Sequence, residues 1–95
     1  MPESVPLTIA TEGDYYVNVT NGDQVNKDTM ASSATIDLDP IGRIFGPSEI
    51  KQKDPFLVKS VHLTPGEYTL TAEVRSKPGS YLTIVVSNVD FSTIP

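Results

Sequence analysis

His62 is the single histidine of this chain and stands between Val61 and Leu63. An imidazole serves as a general base only with a nucleophile or an orienting carboxylate in reach. Alternation turns His62 away from the face shared by Val61 and Leu63, and no neighbour along the chain supplies such a partner. It reads as an exposed strand residue. Asp37 and Asp39 lie two apart and project from one face of a strand-like run. With Asp23 or Asp90 they could offer oxygens to calcium, a hard cation taking about six to eight ligands. The spacing is not that of an EF-hand loop, so Asp37 and Asp39 are weak calcium candidates and no metal is expected. Asn18-Val19-Thr20 matches the N-glycosylation acceptor, which carries a sugar only on a secretory route. Tyr16 and Tyr81 fall out of phase with the apolar residues of their own runs and face outward. Rings so placed can stack on sugars or sit in a protein interface, where tyrosine is enriched. No cysteine nucleophile, Gly-rich phosphate loop, H-E-x-x-H or G-x-S-x-G is present. The expectation is a chain that is not an enzyme and holds no cofactor.

The elements that must carry these residues are strands. From Tyr68 to Val74, apolar residues alternate with Thr69, Thr71 and Glu73, and Leu82, Ile84 and Val86 alternate with Thr83, Val85 and Ser87. Period-two apolarity bounded by Pro-Gly pairs marks half-buried antiparallel strands. With Lys77-Pro78-Gly79-Ser80 between them, the two runs read as a β-hairpin. Val5–Thr11 and Tyr15–Thr20 are earlier strands, and Pro6, which lacks a ladder donor, marks the first as an edge strand or a strand start. The second ends at Asn21-Gly22-Asp23, a favoured turn. Ala34–Leu38 and Arg43–Phe45 follow. Phe56–Leu63 is a strand whose apolar phase slips, and a bulge near Lys59-Ser60 would correct it. A terminal strand over Phe91–Ile94 is a further candidate. Asp23–Ser33, with one helical turn over Asn26–Met30, and Ser48–Asp54 are polar loops, where functional contacts concentrate. Seven to eight short strands without a long helix predict a single all-β domain over residues 1–95. Its architecture is an antiparallel β-sandwich, jelly-roll or Ig-like.

Composition bounds the partners. Ninety-five residues make one domain with a thin core, and no cysteine is available to brace it. Twelve acidic residues against seven basic ones leave a net charge of −5. Nucleic acid and anionic membranes reward Lys/Arg clusters, so neither is an expected partner. The one basic concentration, Lys51, Lys53 and Lys59, reads as a solvated face. There is no basic start followed by an apolar run, and no stretch of roughly 18–20 apolar residues that could span a bilayer. A virion or the cytoplasm is the expected location.

The run from Phe56 to Val74, with Leu63-Thr64-Pro65-Gly66-Glu67-Tyr68-Thr69-Leu70 at its centre, resembles a recurring corner. It is the strand, L-x-P-G-x-Y-T-L, strand element of small jelly-roll and galactose-binding-like accessory domains. That resemblance covers about a third of the chain. It implies a sandwich and non-catalytic binding to carbohydrate or protein surfaces, without the tryptophan platform common in sugar-binding members. In size, acidity and lack of cysteine the chain also looks like the decoration, or cement, proteins of tailed-phage capsids. The leading expectation is therefore a structural protein that binds other protein subunits on a virus particle, either alone or as a protomer of a homo-oligomer. Its contacts are assigned to Tyr16, Tyr81, Phe91 and Ile94. A carbohydrate-binding module using Tyr16 or Tyr81, and an enzyme inhibitor inserting the Ser48–Asp54 loop, are the alternatives.

Overall fold

The computed structural model describes residues 3–23, 25–51, 55–75 and 78–89. Among them are seven strands: β1 Glu3–Ile9, β2 Gly13–Asn21, β3 Ala34–Asp39, β4 Gly42–Phe45, β5 Phe56–Leu63, β6 Gly66–Val74 and β7 Leu82–Ser87. The helical turn expected in the first polar loop is a short 3-10 turn, Lys27–Thr29. The strands form two antiparallel sheets, ordered β1-β6-β3-β4 and β5-β2-β7. Packed face to face, they make a β-sandwich. The terminal strand expected over Phe91–Ile94 lies outside the described residues.

Two sequence expectations are corrected. β6 and β7 are not a hairpin: β6 pairs with β1 and β3, and β7 pairs with β2 in the other sheet. Both edges of β6 are taken, so β7 cannot pair with it, and the chain crosses to the other sheet. Alternation reports which face a side chain takes, and it is silent on which strand lies alongside. The bulge at Lys59-Ser60 is absent as well, because β5 runs in unbroken register with β2 from Phe56 to Leu63. The apparent slip arises because Leu57, Lys59, Val61 and Leu63 all share the inner face while Phe56 and Val58 point outward. A register irregularity does occur, between Ile36 and Asp37 where β3 meets β4.

The inner rows follow from that register. Ala34, Ile36 and Leu38 of β3 and Phe45 of β4 are buried against Val17 and Val19 of β2 and Leu63 of β5, with Ile50 from the following loop. Removing one such side chain costs about 2–5 kcal/mol. Leu70, Ala72 and Val74 of β6 and Leu82, Ile84 and Val86 of β7 pack against this cluster but remain only half buried. Their rows meet across the interior although the strands never pair. Two tyrosines pin corners. The Tyr68 hydroxyl donates to the Thr64 carbonyl (2.9 Å) and accepts the Thr64 N–H (3.1 Å), and the Tyr15 hydroxyl donates to the Thr11 carbonyl (2.6 Å). An interior phenol needs such a partner, and here the bond also fixes the chain entering each strand.

Asn21 ties the long loops to the sandwich. It is fully buried, and its Nδ2 donates to the Ala31 carbonyl (3.0 Å) and the Lys51 carbonyl (3.1 Å) while its Oδ1 accepts the Ala31 N–H (2.7 Å). One amide therefore satisfies backbone groups of both polar loops. Gly22 follows at φ 62°, and a Cβ there would sit 2.4 Å from the Thr29 carbonyl oxygen. Within the Asn-Gly pair only the glycine takes positive φ, and the loop closes directly onto it. Asn21→Ala would strand the Ala31 N–H and two carbonyls, and is expected to cost about 2–4 kcal/mol. Gly22→Ala adds left-handed strain to a backbone clash and is expected to cost at least about 2 kcal/mol. Urea denaturation should show both losses as a lower midpoint with an unchanged slope.

Candidate functional site

His62 has partners that chain proximity did not supply. Gly13 pairs with Leu63 and Asp14 with His62, so the turn between β1 and β2 is carried to the end of β5. There His62 Nδ1 lies 3.0 Å from Asp14 Oδ1, and Nε2 lies 3.0 Å from Glu12 Oε2. The hydrogen bonds to Asp14 first, and to Glu12 second, raise the imidazole pKa above its ordinary value of 6.5. The signal in the sequence was Glu12-Gly13-Asp14, a turn with acidic residues on alternate positions, but their meeting with His62 depends on strand pairing. All three side chains are exposed, and both ring nitrogens are occupied. Held this way, each ring nitrogen faces a carboxylate, an arrangement that favours the protonated imidazole.

The other polar candidates are also engaged. Arg43 Nε donates to Asp37 Oδ1 (2.9 Å) and its Nη2 reaches Asp37 Oδ2 (3.4 Å), which raises the guanidinium pKa. Asp37 therefore spends both oxygens on a neighbouring strand, and Asp39 is exposed at the strand end. Among the described residues no group of three or more His, Cys, Asp or Glu is arranged to hold a metal ion. Asp90, the other calcium candidate, lies outside them. Asn18 of the acceptor tripeptide is buried, and its Nδ2 donates to the Val89 carbonyl at 3.0 Å.

The two outer faces differ in kind. On β1-β6-β3-β4 the outward residues are polar: Ser4 and Thr71 share a hydrogen bond of 2.9 Å, and Thr69, Thr35, Asp37 and Glu73 continue the face. On β5-β2-β7 the outward positions include Phe56, Val58 and Val85, arranged around Asn18 and joined by Val89 where the chain leaves β7. Phe56 is 62% exposed, Val89 42% and Val85 37%. Tyr16 occupies the adjoining row of the same face, half-buried between Ser60 and Ser87. An antiparallel sheet packed on one side normally turns polar residues to water on the other. Clustered apolar residues on an outer face mark a surface that contacts something else.

The sandwich is also closed unevenly along its two sides. Where β4 faces β5, the inward-pointing Lys59 crosses the gap. Its ammonium pairs with Glu49, donates to the Ile44 carbonyl at 2.8 Å and lies 5.0 Å from the centre of the Phe45 ring. The hydrogen bond from Lys59, with the Gly46 N–H, holds the Glu49 pKa below its ordinary value. Lys59 was expected on a solvated face; register turns it inward, and β4 and the loop after it give it acceptors in Ile44 and Glu49. Where β1 faces β7 there is no such clasp. A cleft of about 430 Å³ opens there, walled by Val5, Leu70, Ala72, Val74, Leu82 and Ile84, with Glu3, Ser80 and Tyr81 as its polar members. Along β1 the inward row goes from Ile9, 5% exposed, to Val5, 57% exposed. Tyr81 lines this cleft and its backbone is fixed at both ends, by Gly22 N–H to its carbonyl (2.9 Å) and by its own N–H to the Thr29 carbonyl (3.0 Å).

Of the four expected contact residues, Tyr16 and Tyr81 lie on different surfaces, the outer sheet face and the cleft. Phe91 and Ile94 fall outside the described residues. Phe56, Val58, Val85 and Val89 were not selected from the sequence, because Phe56 and Val58 read as core residues of a bulged strand. Among the described residues no helix is long and apolar enough to cross a membrane. Comparison with family models, curated proteins and solved structures finds no match.

The His62 clamp gives a pH test. A histidine whose folded pKa is raised adds stability that is fully present below its unfolded pKa and lost as pH climbs through the folded value. The melting temperature of the wild type should exceed that of His62→Ala at about pH 5.5, and the gap should close by about pH 8.5. NMR titration of the imidazole should return a pKa above 6.5.

Proposed function

We propose that this chain is a non-enzymatic structural protein that binds other protein subunits through the outer face of its β5-β2-β7 sheet. The observation that carries the reading is the apolar cluster of Phe56, Val58, Val85 and Val89 on a sheet face that water would otherwise favour as polar. Tyr16 borders it and supplies a ring of the kind enriched in interfaces. The opposite sheet, with its threonines and ion pairs, suits solvent. Binding by a rigid sheet needs no deep pocket and little ordering on contact, which keeps the entropic cost of association low. Burial on the partner then stabilises the assembled state alone. The setting favoured by the chain's size, acidity and resemblance is a tailed-phage capsid, with the protein acting as a decoration or cement subunit.

The test uses empty capsid shells of a tailed phage whose genome carries this sequence. Saturating the shells with the protein should raise their melting temperature, and Phe56→Asp should remove at least about tenfold in affinity, since it buries a charge in the contact. Circular dichroism should show that variant folded, because Phe56 faces outward. Unchanged binding by Phe56→Asp, or shells indifferent to the protein, would overturn the reading.

A further inference from the structure

A sheet edge is a row of unpaired N–H and C=O groups, and proteins guard such rows with proline, charge or short length. The sandwich has four edges, β1, β4, β5 and β7. β1 carries Pro6 and Glu3, β4 is four residues long and contains Arg43, and β5 contains Lys59 pointing inward and His62. β7 reads Leu-Thr-Ile-Val-Val-Ser, with neither charge nor proline nor glycine. Among the described residues it is the edge without such guards, and it borders the open cleft.

The ladder to β2 determines which of its groups are free. Gly22 N–H donates to the Tyr81 carbonyl, so the hydrogen-bonded pairs continue at Thr20–Thr83, Asn18–Val85 and Tyr16–Ser87. The backbone groups of Thr83, Val85 and Ser87 therefore turn towards β2, and those of Leu82, Ile84 and Val86 turn to the free edge. These last three residues also supply the inward apolar row of β7.

We propose that a second copy of this chain docks on the β7 edge, antiparallel, with the two-fold axis at Ile84. That register sets Ile84 against Ile84, Leu82 against Val86 and Thr83 against Val85. Each free N–H and C=O of the row then meets its counterpart, and inward apolar residues oppose inward apolar residues, as a continuous sheet requires. Chains with a net charge of −5 repel as wholes, but this contact places no charge opposite another because β7 has none. Antiparallel self-pairing satisfies the isologous symmetry of a dimer. The two three-stranded sheets become one continuous sheet, and Phe56, Val58 and Val85 of both copies share a single outer face. The inference goes beyond the assembly reading, since it needs no other protein.

The absence of cysteine makes the register directly testable. Thr83 and Val85 point outward, and in this register they form non-hydrogen-bonded pairs with Cα atoms about 4.5 Å apart, within disulfide range. Residue 83 of one copy and residue 83 of the other are diagonal neighbours and too distant. Full-length Thr83→Cys and Val85→Cys proteins, mixed and mildly oxidised, should give mixed covalent dimers, whereas each alone should give few. Sedimentation of the wild type should show mass rising with concentration from 10.3 kDa towards twice that value. Thr83→Lys/Val85→Lys should remain monomeric and regain pairing when mixed with Thr83→Glu/Val85→Glu. A wild type that stays monomeric, or disulfides formed equally in all combinations, would overturn the proposal, and dominant 85–85 disulfides would overturn the Ile84 axis. Shell binding is probed at Phe56 and self-pairing by cross-linking at 83 and 85, so either idea can fail while the other stands.

Discussion

Two sheets with no disulfide between them stay face to face only where their inner rows exclude water, and here that happens mainly on one side. Ile36, Leu38 and Phe45 meet Val17, Val19 and Leu63 in a dry cluster, and everything else is arranged around it. Interiors are close-packed, so side chains at this centre leave little freedom to the strands that carry them. The β4–β5 side can close fully because Lys59 finds a carboxylate, a carbonyl and a ring face together at the gap. Such an ammonium keeps part of its surface in water while its stem covers apolar neighbours. On the β1–β7 side no side chain among the described residues plays that part, and an apolar cleft lies beside the edge of β7.

Polar ties set the loops on this frame. Asn21 is the case where burial and hydrogen bonding cannot be separated: a fully desolvated amide is tolerated only with its donors and acceptor used. Since its partners belong to both long loops, the end of β2 becomes the anchor for segments distant in sequence. Gly22 then lets the chain turn where any Cβ would strike the Thr29 carbonyl. The two tyrosine corners act at the opposite ends of strands, each closing a short backbone step with its own hydroxyl.

The same geometry divides the surface by chemistry. One outer face is a field of threonines, carboxylates and Arg43; the other gathers Phe56, Val58, Val85 and Val89 around a buried asparagine. Ionisable groups that could have formed a reactive site instead satisfy each other, His62 with Asp14 and Glu12, Arg43 with Asp37, and Lys59 with Glu49. Among the described residues, what is left uncovered is apolar area on the outer face of β5-β2-β7 and the edge of β7.

Alternation alone determined that Tyr68–Val74 and Leu82–Val86 are strands with one apolar face, because successive side chains must point to opposite sides. From this came the all-β class, the two-layer architecture, the outward setting of Tyr16 and His62, and the inward setting of Tyr68. Partnering was not legible, since a period of two reads the same in either sheet; only the occupied edges of β6 sent β7 to β2. Nor could the pattern of β5 reveal that a lysine faces inward and a phenylalanine outward, because the acceptors that make this favourable come from β4 and the loop after it. The carboxylates around His62 were equally hidden: nearly fifty residues separate them along the chain, and strand pairing alone brings them within hydrogen-bond distance.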